Sequence, residues 1–289
     1  MNINLPTELL RSLITVADLG GYTKAGDALN RSQPAISLQM RRLEEMVGAK
    51  LIVSNGKGLK FTEAGEKLAT YARQILHLND DAVSEFQPKH VSGGVRIGLP
   101  TDFAMSYLQD TVLNFSNSHR DVDLEICCDL SCNLLTQLHS DEINLAIALI
   151  AEDKRQYLVQ SWEEQPFWVM GKRAEFDLNG TVPLVGHPEN CEYRNRMTEA
   201  LEKHERKWRI AYTSPDISGV QHAVEAGFGV SALTHATLKD GMQILTAKQG
   251  FPSLKKISVG LFYKHSKLSL SGLKLSNHII SSLDEFAGK

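Results

Sequence analysis

The chain has 289 residues, 42% of them apolar and 22% charged, which fits a globular protein long enough for two or three cores. Its net charge of −3 excludes a bulk polycation that would hold nucleic acid by charge alone. The charge is unevenly placed, however: residues 1–62 carry eight basic against five acidic side chains, and the remainder carries 23 against 29. A small basic head on an acidic body suggests nucleic-acid contact through the head. No apolar run approaches the ~20 residues needed to cross a bilayer. The opening MNINLPTELLRS also lacks the basic flank and apolar run of a secretion signal. A cytoplasmic protein is expected, with no membrane partner and with reduced thiols at Cys127, Cys128, Cys132 and Cys191.

Short helices with tight joints open the chain. Leu9, Leu10, Leu13, Ile14 and Ala17 recur at helical spacing after Thr7, a candidate cap, and Gly20-Gly21 ends that helix. Thr23 is expected to cap a second short helix running through Leu29. After the turn Asn30-Arg31-Ser32, Ser32 caps a third helix with Pro34 in its first turn, where a missing N–H costs nothing, and Gly48 stops it after Val47. Runs at 50–53 and 59–61 flank Ser54-Asn55-Gly56-Lys57-Gly58, a hairpin tip in which Asn-Gly accepts positive φ. Three helices and a β-hairpin make a winged helix-turn-helix.

Residues 62–87 read as one long helix. Its Ala64, Leu68, Tyr71, Ile75, Leu78 and Ala82 recur at intervals of four and three residues, as in a heptad seam. Such a stripe is buried on its own domain or, the favoured reading, against a second copy in a homodimer. Pro88 ends the helix, and Ser92-Gly93-Gly94 makes a flexible joint. From residue 95 short apolar runs alternate with helical patterns: VRIGL, a helix through Asn117, VDLEICC, a helix at 132–140 and INLAIALI. A second set follows: FWVMG, TVPLVG, a helix at 193–204, WRIAYTS, a helix at 217–226 and GVSAL. ISVGLFYK and a helix near 270–286 close the chain. The alternation argues for an α/β body of parallel-type sheets in two lobes with a cleft between them.

On the third helix, Ile36, Met40, Leu43 and Val47 are spaced to face a core, while Gln33, Ser37 and Arg41 occupy another stripe, with Leu38 and Arg42 beside it. Gln can pair with adenine and Arg with guanine or phosphate, and Leu38 can touch a thymine methyl. The alternative is a polar face of the kind any surface helix shows. The wider run YTKAGDALNRSQPAISLQMRRLEEMVGAKLI…LKFTEAG decides between them. It closely resembles the N-terminal domain of LysR-type transcriptional regulators, with Ala25, Ala28 and Leu29, then Ser-Gln-Pro-Ala, Arg-Leu-Glu, the wing and Thr-x-x-Gly at fixed spacing. IGLPTDFA and SGVQHAVEAGFGVSAL resemble a branch of that family containing global repressors of motility and virulence traits.

The resemblance implies a winged helix-turn-helix at 1–62, a dimerising linker helix and hinge at 63–92, and an effector-binding domain of periplasmic-binding-protein type (type 2) at 93–289. Its first lobe would take 93–162 and 266–289, and its second 163–265. It implies double-stranded DNA as partner, read as inverted repeats by a homodimer or tetramer through Thr23, Arg31, Ser32, Gln33, Pro34, Ser37, Leu38, Arg41, Arg42 and Lys57. It implies a small-molecule effector at Thr101, Asp102, Ser131 and Cys132, with Thr213 and Ser214 as further candidates. No cofactor and no catalysis are implied.

Several positions depart from the family pattern. Gly26 replaces alanine, at an expected cost to its helix of about 0.5–1 kcal/mol. Leu38 replaces a polar base reader. The wing has Ile52 and Ser54 for Phe and Arg, leaving Arg31, Arg41, Arg42 and Lys57 to carry phosphate contact together. Ser131, at a helix start, suits an anion. Asp102 would repel one, favouring a neutral, zwitterionic or cationic effector, unless it only caps the next helix. Cys127, Cys128 and Cys132 within six residues admit a metal or redox reading, but the first two point to opposite faces of a strand.

Three other readings compete. An enzyme would need a nucleophile elbow, a phosphate loop or a His-Glu-x-x-His run, and the sequence has none. A stand-alone solute-binding protein would explain the body but not the basic head. A DNA-binding repressor that senses no ligand is the remaining alternative.

Overall fold

A computed structural model of the chain describes residues 4–54, 59–86, 91–101, 107–151, 155–175, 177 and 180–287. The head is built from α1 (Thr7–Leu19), α2 (Tyr22–Ala28), α3 (Gln33–Val47) and a hairpin of β1 (Ile52–Ser54) and β2 (Leu59–Phe61), paired Ile52 to Phe61. Its core is Leu9, Leu10, Leu13, Ile14, Ile36, Met40 and Leu43, the apolar positions of two amphipathic helices crossing one another. Ser32 caps α3, its hydroxyl accepting from Ala35 N at 3.4 Å, and Gly48 ends it in the left-handed region at φ 70°. The hairpin tip, with Lys57, lies outside the described residues.

Two expected caps fail. α1 starts at Thr7 itself, with Pro6 before it, and α2 starts at Tyr22, with Gly21 in extended conformation at its N-cap. Thr7 and Thr23 therefore sit inside first turns and cap nothing; the rigid φ of Pro6 and the bare backbone of Gly21 set those entries. Gly26 also differs from expectation. A Cβ there would stand 2.6 Å from the carbonyl oxygen of Arg31, whose N–H donates to Gly26 O at 2.8 Å. The glycine thus lets the α2–α3 turn close rather than merely weakening a helix.

The helix α4 (Glu63–Ser84) starts where Thr62 Oγ accepts from Gly65 N at 3.0 Å. It serves two sides. Ala69, Ala72 and Leu76 are buried in the head core, and Ala64 and Leu68 lean on it. The seam read from the sequence therefore splits, its first two members belonging to the head's own core. Tyr71 and Leu78, 64% and 67% exposed, continue with Ile75, Ala82, Val83 and Phe86 as an apolar stripe on the opposite side.

The body has two lobes. In the first, β3 (Gly93–Pro100), β4 (Val122–Asp129), β5 (Leu145–Leu149), β6 (Leu158–Glu164) and β12 (Ile257–Tyr263) form a sheet in the order β4-β3-β5-β12-β6. The helices α5 (Tyr107–Ser118), α6 (Ser131–His139) and α9 (Leu270–Ala287) belong to this lobe. In the second lobe β7 (Phe167–Gly171) lies between β10 (Ser231–Leu233) and β11 (Met242–Ile244), while β8 (Val182–Gly186) pairs with β9 (Trp208–Thr213). A bridge between Leu184 and Val230 joins these two sheets, and α7 (Glu192–Lys203) and α8 (Ile217–Glu225) pack on them. β5 is buried along its whole length, as its unbroken apolar run LAIAL requires.

Three readings of the body change. The five-stranded sheet is mixed, since β12 runs antiparallel to β5 and β6, and the sheet of β10, β7 and β11 is antiparallel throughout. β12 belongs to the first lobe, so the return from the second lobe falls before Ile257 and not at 265. Gly93 and Gly94 are not a joint: they pair with Val122 and Asp123 inside β3, where ladder hydrogen bonds hold backbone that composition alone reads as loose.

The head is docked on the first lobe through α4. His77 Nδ1 meets the Tyr263 hydroxyl at 2.9 Å, Lys274 Nζ donates to Glu85 at 2.8 Å, Asn277 bonds Asp81, and Ser271 Oγ donates to Ser92 O at 3.0 Å. Beneath lies the ion pair of Arg73 and Asp18 at 2.7 Å, with side chains 3% and 0% exposed.

Candidate nucleic-acid interface and ligand cleft

Burial of Ile36, Met40 and Leu43 turns the opposite face of α3 outward. Gln33, Pro34, Leu38, Arg41 and Arg42 are exposed there and Ser37 is half-buried; Arg31 and Ser32 are exposed in the preceding turn and Thr23 on α2. Leu38 is 66% exposed, a large apolar side chain facing water beside two arginines. Arg31, Arg41 and Arg42 have no side-chain ion pair among the described residues, so their charges are free for an outside acceptor. The face is held rigidly. Ser12 Oγ donates to Gln39 Oε1 at 2.8 Å, tying α3 to α1. Glu44 accepts from Leu51 N at 3.0 Å and from Lys50 Nζ at 2.7 Å, tying α3 to the wing. Burial opposes ionisation of Glu44, but these donors hold its carboxyl below the ordinary range.

Between the lobes lies a cavity of about 410 Å³. One wall is the end of β3 (Pro100, Thr101) and the start of α6 (Asp129 to Cys132); the other is the segment entering α7, from His187 to Asn195. Both helices point their N-termini at the cavity, the geometry in which free N–H groups meet a polar ligand. Ser131 Oγ accepts from Leu149 N at 3.0 Å, which leaves its O–H to donate. Asp129 accepts from Leu130 N at 2.7 Å, Asn133 Nδ2 at 2.8 Å and Gln137 Nε2 at 3.2 Å. In the other wall Glu192 is buried against Arg196 at 3.1 Å, and His187 Nδ1 bonds Ser214 O at 3.1 Å. Thr101 Oγ donates to Pro215 O at 3.3 Å, from one lobe to the other.

Of the six effector positions read from the sequence, Thr101, Ser131 and Cys132 line this cavity, and Asp102 lies outside the described residues. Thr213 and Ser214 do not line it. Thr213 is exposed elsewhere, and the Ser214 hydroxyl is spent on the turn into α8, donating to Asp216 O and accepting from Asp216 N. The sequence reading missed the whole second wall, including Glu189, Cys191 and Glu192. The available signal was a helix start directly after β8, the same placement that singled out Ser131 after β4. Cys132 and Cys191 face one cavity from opposite lobes, while Cys128 is exposed, its thiol pushed up by partial burial and by Cys127.

Residues 7–66 match the model of the bacterial regulatory helix-turn-helix protein, lysR family, and residues 88–274 that of the LysR substrate binding domain. The chain is 28% identical to the HTH-type transcriptional regulator DgdR of Burkholderia cepacia over 277 residues, covering 96% of this chain and 94% of that protein. It is 27% identical to the HTH-type transcriptional regulator PecT of Dickeya dadantii, covering 87% and 79%. Among solved structures, CrgA, a LysR-type transcriptional regulator from Neisseria meningitidis, aligns over 98% of this chain and 99% of its own, with a TM-score of 0.55 at 16% identity. An exposed capped helix on a winged head, a two-lobed body with a cleft, and two family matches that together span nearly the whole chain agree: the protein belongs to the LysR family of transcriptional regulators.

Proposed function

We propose that the chain acts as a homodimer, or a pair of dimers, that reads an inverted-repeat operator with the N-terminal half of α3. The observation that carries this reading is the outward face of Gln33, Leu38, Arg41 and Arg42, capped by Ser32 and flanked by cations with no internal partner. In it, Gln33 and Ser37 reach base edges, Leu38 packs on a thymine methyl, Pro34 sets the first turn, and Thr23, Arg31, Arg41, Arg42 and Lys57 hold phosphates. The stripe Tyr71, Ile75, Leu78 and Ala82 takes a second copy of α4. The family assembles as oligomers, and an apolar row this long on a monomer surface otherwise faces water.

The cleft takes a small effector held by Thr101, Ser131 and Cys132 on one side and by the start of α7 on the other. Its lining carries Asp129, Glu189 and Glu192 and, among the described residues, no lysine or arginine. That favours a neutral or amine-bearing molecule over a simple acid. Effector binding changes lobe closure and, through α4, the separation of the two heads. We read the chain as a regulator and not an enzyme, working where its DNA is; no helix among the described residues is long and apolar enough to cross a membrane.

Genome-wide DNA-binding mapping of the protein beside a Gln33→Ala, Arg41→Ala double variant tests the reading. Discrete sites sharing an interrupted palindrome, lost in the variant, are the expected result. Sites unchanged in the variant would show that α3 does not read bases.

A further inference from the structure

A second cavity, of about 660 Å³, lies where the wing and the start of α4 meet the first lobe. Cationic side chains reach it from three separate places: Lys60 on β2, Arg73 on α4, and Arg155 ahead of β6. Lys60 and Arg155 have no hydrogen-bond or ion-pair partner for their side chains among the described residues. Arg73 is the more telling. Its side chain is 3% exposed, Nη2 binds Asp18, and Nε is buried with no acceptor among the described residues. A buried guanidinium N–H left unsatisfied is costly, and the same guanidinium lines the cavity with positive charge that, among those residues, Asp18 alone offsets. The nearby carboxylates do not fill the cavity. Glu63 is exposed and held by Lys67 at 2.8 Å, and Glu66 is exposed on the rim. Phe61 and Ile52 supply an apolar floor.

We propose that this cavity is a second ligand site, distinct from the cleft, for a small organic or inorganic anion bearing a carboxylate or phosphate. Its acidic group pairs with Arg155 and with the guanidinium edge that Arg73 presents to the cavity, and Lys60 closes on it from the wing. Because Lys60 and Arg73 belong to the head and Arg155 to the body, the anion ties the two together. Occupancy therefore favours the docked position of the wing.

The test is titration calorimetry of the full-length protein with citrate and, separately, inorganic phosphate, at constant ionic strength set with sodium chloride. Saturable binding of one anion per chain is expected, weakened at least tenfold in Arg155→Gln and unchanged in Ser131→Ala, which removes a hydroxyl donor from the cleft only. Binding of citrate alone would assign a carboxylate ligand, and of phosphate alone a phosphorylated one. Arg155 lies outside both the head and the cleft, so its variant should fold and bind DNA like the parent, which keeps this test separate from the DNA-reading proposal. The proposal is overturned if neither anion binds saturably, if Arg155→Gln binds as tightly as the parent, or if Ser131→Ala abolishes binding, which would place the anion in the cleft.

Discussion

Replacing Arg73 by methionine would leave the Asp18 carboxylate, 0% exposed, without its ion-pair partner and with only the more distant pull of Lys264. Removing one partner from a buried ion pair costs about 3–5 kcal/mol, because the survivor can neither return to water nor find another partner. Both side chains are almost wholly buried, so solvent screening takes little from that cost. At an m-value of about 1.5 kcal/mol/M, the urea midpoint of the head should fall by roughly 2–3 M. The chain's three tryptophans, Trp162, Trp168 and Trp208, all lie in the body, so their fluorescence follows the body while circular dichroism also follows the helices of the head. The expected result is an early dichroism phase that tryptophan fluorescence does not share.

Burial already raises the Asp18 pKa against the pull of Arg73, so in the variant the carboxyl takes up a proton readily. A folded pKa raised above the unfolded value adds stability at low pH that is lost as pH rises through it. The defect in the variant should therefore shrink as the solution is acidified. The pair is joined by one hydrogen bond, with Asp18 Oδ2 and Arg73 Nε both unmet, so it is a poor use of buried charge. Asp18→Asn together with Arg73→Met should then recover most of the loss. A single-variant cost below about 1 kcal/mol, or a double variant no better than the single, would refute this account of the junction.

Four further outcomes are expected. Gly26→Ala should destabilise the head by about 1–3 kcal/mol through the 2.6 Å approach to the Arg31 carbonyl; a raised melting temperature would show that the α2–α3 turn relaxes freely. Arg42→Ala should reduce the slope of log affinity against log salt by about 0.9 for each head on DNA, and an unchanged slope would remove Arg42 from the phosphate contacts. Leu78→Glu, placed on the exposed stripe of α4, should shift the protein to monomer in sedimentation velocity and weaken operator binding at least tenfold; a stable dimer would move the interface elsewhere. His265 is held down to about 3, first by burial and then by Arg73, so the stability it allows above its ordinary pKa of roughly 6.5 is lost as pH falls towards 3. His265→Leu should flatten the acid limb of tryptophan-monitored unfolding, and an equal slope in parent and variant would discount that histidine.

The head was legible because its signals are local. Ser32 before Pro34, Gly48 after Val47 and the period of Ile36, Met40 and Leu43 each act within a turn or two of chain. α2 was less so, since Gly21 enters the helix with no side-chain cap for a reader to see. β6 and β11 escaped entirely. LVQSWEE carries no clean alternation, and its strand exists through pairing with β12, almost a hundred residues later; MQI is three residues fixed by β7. In the cleft, the wall from the start of α6 could be read from a serine at a helix start, whereas HPENCEY resembles any polar loop until α7 is folded beside it. The junction has no signature at all: Asp18, Arg73, His77 and Tyr263 are scattered over the chain and become one cluster only when the head docks.

Because α4 is one uninterrupted helix, its faces keep a fixed angular phase from Thr62 to Ser84. Ala69, Ala72 and Leu76 set the rotation of the head about that axis, and Tyr71, Ile75 and Leu78 set the rotation of whatever packs outside. Adding one residue within Ala69–Leu78 would turn the part of both faces that follows it by about 100° against the part that precedes it, whereas adding seven would nearly restore the register. The spacing and facing of two heads on DNA are in this way an integer property of the chain, a residue count along a single rod. Relatives that keep the exposed side chains of α3 but differ in that count would be matched to different operators.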